Sequence, residues 1–193
     1  MLIPKLFFLP FALLIFPLDA SSSSIKLING TVEFLRNEKA IKVRFTYLTE
    51  ITYGEVNSST SKQAMLYKSE MDNIYAYAKD NLLMEKSFTN LFEKNSKLAI
   101  DNGPYANYLF IVNVDHVVPG ILWEFGRYNA ECDLTVRIIE IKTEKEIAIV
   151  SLKNMKGRLK SFTFGYGQSN SSMLEEAFAK AGKELAKFLE DKF

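Results

Sequence analysis

The stretch 108–154 constrains this chain more than any other. It reads as three successive strands, Tyr108–Val118, 131–141 and 147–154, and the short connections between them require an up-down-up antiparallel meander. In the middle strand Cys132, Leu134, Val136 and Ile138 alternate with Asp133, Thr135 and Arg137, the period of two expected when one sheet face is wet. Ile139 and Ile141 then continue on the other phase, which predicts a bulge or a local twist. Residues 108–114 are apolar at nearly every position except Asn113, as in a strand covered on both faces or central in its sheet.

The flanking regions supply further layers. Residues 28–35 and 41–48, joined by the polar cluster 36–39, read as an N-terminal hairpin. In its second strand Ile41, Val43, Phe45 and Tyr47 alternate with Lys42, Arg44 and Thr46. Thr60 with Gln63 forms a capping box that opens a helical segment reaching about Lys97. Met71, Ile74, Tyr75, Ala78 and Leu82 share one face, and Met84, Phe88, Leu91, Phe92 and Asn95 a second. The slip between them near Asp80 and Asn81 predicts two helices or one bent one. Tyr67, Tyr75 and Tyr77 recur at helical spacing and read as a core rim. Ser172 with Glu175 caps a last helix to about Glu190, with Leu174, Phe178, Ala181, Leu185 and Phe188 on one face. Ala177, Ala181 and Gly182 keep that helix thin enough for close packing on the sheet. The expected class is therefore α+β: a mainly antiparallel sheet made of the hairpin and the meander, packed by a central helical segment and a C-terminal helix.

The N-terminus carries its own signal. Lys5 precedes an apolar run, 6–16, that ends at Pro17 and a small-residue zone, 20–24. This is the pattern of a signal peptide over 1–20 with cleavage near 20–24, leaving one α+β domain at 25–193. The run is too short to span a bilayer, and no later stretch approaches the ~20 apolar residues of a membrane helix. A lipid anchor would need a cysteine at the cleavage zone, and the chain's one cysteine is Cys132. The expectation is an exported protein, periplasmic or secreted, with no transmembrane segment in the mature chain. With 24 basic and 23 acidic side chains the net charge is +1. So balanced a chain lacks the clustered cations on which nucleic-acid affinity rests. Sequons at Asn29, Asn57 and Asn170 would matter only in a eukaryotic secretory pathway.

The meander also makes a geometric prediction about function. If its strands run up, down and up, loops 119–128 and 155–170 leave the sheet from the same end. The first holds Trp123, Phe125 and Tyr128, the second Phe162, Phe164 and Tyr166, both among glycines. Exposed aromatics gathered at one end would form a recognition patch for a protein or cell-envelope component; the alternative is a satellite core under long loops. His116 and Cys132 are a candidate base and nucleophile, since hairpin register places 116 opposite 131 or 132. Cys132 sits on the apolar phase of its strand, however, and reads as a small hydrophobe. One His, one Cys and no paired ligand spacing exclude a familiar metal site, and no cofactor is expected. A third reading places a small molecule or anion beside Gly165 and Gly167, where Lys156, Arg158 and Lys160 precede a helix N-terminus. No nucleophile elbow, Walker motif or zinc-protease motif is present.

Four segments together carry a resemblance: IKLINGTVEFL at 25–35, KVRFTY at 42–47, VPG at 118–120, and above all AKAGKELAKFL at 179–189. With the exported start, they resemble a family of uncharacterised exported bacterial proteins over most of the mature chain. That resemblance implies no assigned activity and no catalytic residue. The order of strand, helix, three-strand meander and final helix is also similar to TolB N-terminal and curli-secretion-type periplasmic domains, which implies a role in envelope assembly or binding. The expectation is a non-enzymatic exported binding protein; a cysteine-dependent enzyme is the weakest alternative.

Overall fold

The computed structural model describes residues 22–47, 74–118, 121–123, 126–157 and 170–193, with the side chains of 74–80, 121–128 and 170–171 excepted. The meander forms as its periodicity requires: β4 (Tyr108–Val118), β7 (Glu131–Glu140) and β8 (Lys145–Lys156) are neighbours in one sheet. Three more strands extend it: β1 (Ser24–Gly30), β2 (Ala40–Tyr47) and β3 (Ala99–Ile100). The order is β1-β8-β7-β4-β2-β3. A separate two-stranded ladder pairs β5 (Ile121–Trp123) with β6 (Gly126–Tyr128).

One expectation is corrected here, and another holds in part, the sheet being mainly antiparallel with two parallel pairs. The N-terminal hairpin does not exist: β1 pairs antiparallel with β8, while β2 pairs parallel with β4 on the other side of the sheet. The sheet is consequently mixed, since β2 is also parallel to β3. The physical reason lies between the strands. Gly30 takes φ 77°, and a Cβ there would lie 1.8 Å from the Ile147 carbonyl oxygen, so only glycine fits the strand end. Beyond it a 3-10 turn, Glu33–Asn37, buries Val32 and Leu35 completely and carries the chain away from β1. Phe34 reaches Tyr108 at the far end of β4, with ring centroids 4.6 Å apart. Alternation declared which face of β2 is apolar but said nothing about which strand lies beside it.

Two helices cover one face. In α1 (Ile74–Asn95) the second predicted stripe is correct, since Met84, Phe88 and Phe92 are buried. Phe88 meets Phe45 of β2 edge-on at 5.3 Å, and Phe92 meets Phe110 of β4 at 6.2 Å. Each fully buried phenyl ring contributes about 1.5–3 kcal/mol. Leu82, assigned to the first stripe, is instead 65% exposed. The helix runs unbroken through the predicted slip; the Thr60 capping box lies outside the described residues.

In α2 (Asn170–Glu190) Leu174, Phe178, Ala181 and Leu185 are buried as expected, joined by Met173, Ala177, Ala186 and Leu189, while Phe188 is half-buried. The helix begins two residues before Ser172, so that serine is not its cap. Its thinness serves two contacts. A Cβ on Gly182 would lie 2.2 Å from the Phe88 carbonyl oxygen of α1, so the helices touch backbone to backbone there. A Cβ on Gly157, just past β8, would meet the Met173 carbonyl oxygen at 2.2 Å, which fixes α2 to the sheet.

The opposite face has no helix against it among the described residues. Register places Lys26, Ser151, Thr135, Asn113 and Thr46 in one row across it, and Asn29, Ile149, Arg137, Ile111 and Arg44 in the next. The predicted phase change in β7 is real: the β7–β8 register shifts between Ile138 and Ile139.

Candidate functional site

The end of the sheet at which the two aromatic loops begin can be built from its register. Val118 pairs with Glu131, and Glu131 with Lys156, so the last residue of β4, the first of β7 and the last of β8 stand side by side. The Gly157 N–H donates to the Ala130 carbonyl at 2.9 Å and continues the pairing one step beyond the strand. Loops 119–128 and 155–170 therefore share one root, as the meander predicted. Ser24 opposite Lys153 and Tyr47 opposite Val114 bring the start of β1 and the end of β2 to that same end.

The first loop contains structure that periodicity did not expose. Trp123 stands opposite Gly126 and Tyr128 opposite Ile121 in the β5–β6 ladder. The signal was the apolar run Ile121-Leu122-Trp123 followed by a glycine, too short to register as a strand on its own. Phe125, Phe162, Phe164 and Tyr166 lie outside the described residues. Most of the glycine-rich segment of the anion reading lies there too, from Arg158 to Ser169.

Just behind this root is a polar cluster that the sequence did not single out. Two bulges flank Asp133 on neighbouring ladders. β4 shifts register between Val114 and His116, leaving Asp115 as the extra residue. The β7–β8 ladder shifts between Cys132 and Leu134, where Asn154 takes φ 56°. Asp133 accepts the Asn154 N–H at 2.8 Å, and the Lys153 ammonium lies 3.2 Å from Asp133 and 3.7 Å from Asp115. Thr135 donates its hydroxyl proton to Asp115 at 2.6 Å, and in the same row the Thr46 hydroxyl donates to Asn113. Each carboxylate has a cation and a donor, so the cluster pins two bulges in place. Among the described residues no group of three or more His, Cys, Asp and Glu side chains is set to hold a metal ion.

The bulge at Asp115 also separates the candidate base and nucleophile. It places His116 opposite Asp133, while Cys132 pairs with Val117 on the helix-covered face. Cys132 is completely buried. Burial pushes its thiol far above the ordinary cysteine range; the Asp133 and Glu131 carboxylates add to this, against a smaller opposing effect of Lys180. A thiol held in this way stays protonated and acts as a small apolar side chain.

The outer side of α2 bears a shallow groove of 390 Å³, lined by Leu91 and Ala179 and flanked by Lys156, Lys180 and Lys183 with two glutamates. Lys156 is paired with Glu131 at 3.6 Å, and the Lys180 ammonium donates to the Ser23 hydroxyl at 2.5 Å.

No protein-family model matches this chain, and no curated protein is similar to it in sequence. Among solved structures it is similar to the PelC dodecamer from Paraburkholderia phytofirmans. The match has 12% identity and a TM-score of 0.45, covering 86% of this chain and 98% of the other. A point variant of the same PelC gives 0.41 at the same identity and coverage. A DUF330-family protein from Xanthomonas campestris is 15% identical over 55% of this chain and 59% of its own, with a TM-score of 0.38. No helix among the described residues is long and apolar enough to cross a membrane.

Proposed function

We propose that this is an exported protein that works by binding rather than catalysis, and that it holds a protein or cell-envelope component through the aromatic loops 119–128 and 155–170. The observation that carries the reading is the shared root of those loops, where Val118, Glu131 and Lys156 stand in register. Two loops anchored on three adjacent strands can offer their aromatics to one partner from a rigid base. Export rests on the leader-like start of the chain, and a non-catalytic role on the burial of Cys132 away from His116.

The test replaces Trp123 and Phe164 by Ala singly. Melting temperatures within a few degrees of the parent, together with loss of a photo-crosslink formed from position 127 in the native envelope, are the expected result. A crosslinker at exposed Leu82 serves as the control. A large fall in melting temperature for both variants would mean that the rings form a satellite core, and would end the proposal.

A second reading, a small-molecule or anion binder, is favoured by the groove on α2 with its three lysines. Titration with inorganic phosphate decides it: saturable heat that disappears in Lys183→Gln is expected, and no heat at low salt excludes it.

A further inference from the structure

The face of the sheet that the helices leave uncovered carries an aliphatic patch within a ring of cations. Leu109, Ile111, Ile139 and Ile149 occupy adjoining positions on β4, β7 and β8, and Ile28 in the β1 bulge is 61% exposed. Ile111 is only 6% exposed, and Arg44 and Arg137 flank it in register on the two adjacent strands. The charges on this face divide into two groups. Arg137 is paired with Glu146, and Lys153 with Asp115 and Asp133. Lys26, Lys42 and Arg44 have no acidic partner among the described residues, so three unpaired cations surround the patch and the face carries five cations against three carboxylates.

We infer that this face is a peripheral docking surface for an anionic lipid bilayer, with Lys26, Lys42 and Arg44 meeting headgroup phosphates and the aliphatic patch resting at the interface. Charge selects the occupant. A second copy of the same face would set three free cations against three, a repulsive arrangement. The free cations also stand on both outer sides of the patch. Lys26 is on β1 and Arg44 on β2, four strand spacings or about 19 Å apart. A single acidic peptide strand would meet one group or the other, whereas an extended field of phosphates meets both. This surface is distinct from the loop end of the sheet and does not depend on it.

The test is co-sedimentation of the full chain with vesicles of phosphatidylcholine containing phosphatidylglycerol, and with phosphatidylcholine alone, over a salt series. Binding to the anionic vesicles only, weakening as salt rises, is expected. Lys26→Gln, Lys42→Gln and Arg44→Gln should each weaken it about fivefold with unchanged melting temperature, since each cation near a charged bilayer contributes on that scale. Ile28→Asn should weaken it without altering the salt slope. Equal binding to both vesicle types, or full binding by the triple cation variant, would overturn the inference. So would loss of binding in Trp123→Ala with the triple variant unaffected. A wild-type dimer that the triple variant dissociates would assign the face to a second copy instead.

Discussion

Burial decides what Cys132 can do, and it does so in a way that pH reads out directly. An unfolded thiol titrates near about 8.5, whereas the folded one is held far above that by desolvation. Above pH ~8.5 the unfolded chain gives up a proton that the folded chain keeps, so stability falls as pH rises. The contribution of Cys132 to the slope approaches 1.4 kcal/mol per pH unit between about pH 9 and 10, measured by urea unfolding, and the slope falls by that amount in Cys132→Ala. Iodoacetamide should label Cys132 only once the chain is unfolded. Asp133 matters for the opposite reason, because it is a charged group that two neighbours require. Asp133→Ala leaves the Asn154 N–H without its acceptor and the Lys153 ammonium with only the more distant Asp115 carboxylate. The expected cost is about 1–3 kcal/mol. Asp133→Asn should cost less, since an amide oxygen still accepts the backbone proton. Nothing in the local sequence revealed this role, because Asp133 occupies an ordinary wet-face position until two bulges on other strands converge on it.

Among the elements, legibility followed periodicity. The stripe of α2 and the alternation of β7 placed their buried residues correctly because each pattern records which side of an element is dry. What alternation does not record is the neighbour, and so β1 and β2 read as a hairpin although they lie on opposite sides of the sheet. Leu82 failed for a related reason: it fits a helical stripe by spacing, yet α1 turns that flank outward. The close approach of the two helices was only half legible. Gly182 predicted a thin helix, but the element that comes close is α1 rather than the sheet. Gly182→Ala should therefore destabilise the protein by about 1–3 kcal/mol, despite the higher helix propensity of alanine, because the new methyl meets backbone that cannot rotate aside. A rise in the thermal midpoint would show that the helices can move apart.

For the molecule as a whole, the candidate loop end was legible because it follows from strand direction alone: three antiparallel neighbours place their first and third connections together. Its internal β5–β6 ladder was not, since three-residue strands are too short to display a period. The uncovered face was equally hidden. Lys42 and Arg44 read simply as the wet side of a strand, and only the register that sets them beside Ile111 and Leu109 makes them part of a surface. Loop and face variants should behave independently, as expected for sites that share no residue. Combining Trp123→Ala with Arg44→Gln should change melting temperature by the sum of the two single effects, within about 0.5 kcal/mol in stability terms.

The wide separation of β1 from β2 has a consequence for the order of assembly. The only strand that β1 meets among the described residues is β8, so Gly30 waits for Ala148 and Ser24 for Lys153. Every other long strand can find a partner sooner: β7 zips onto β4, β8 onto β7, and β2 onto β4. Closing so long a loop is entropically slow, which makes β1 the last piece to join the nucleus. In pulse-labelled refolding its amides should gain protection after those of β4 and β7. Until then the β8 backbone is an open template to which the first strand of another molecule could add, making domain exchange the characteristic misstep of this chain at high concentration.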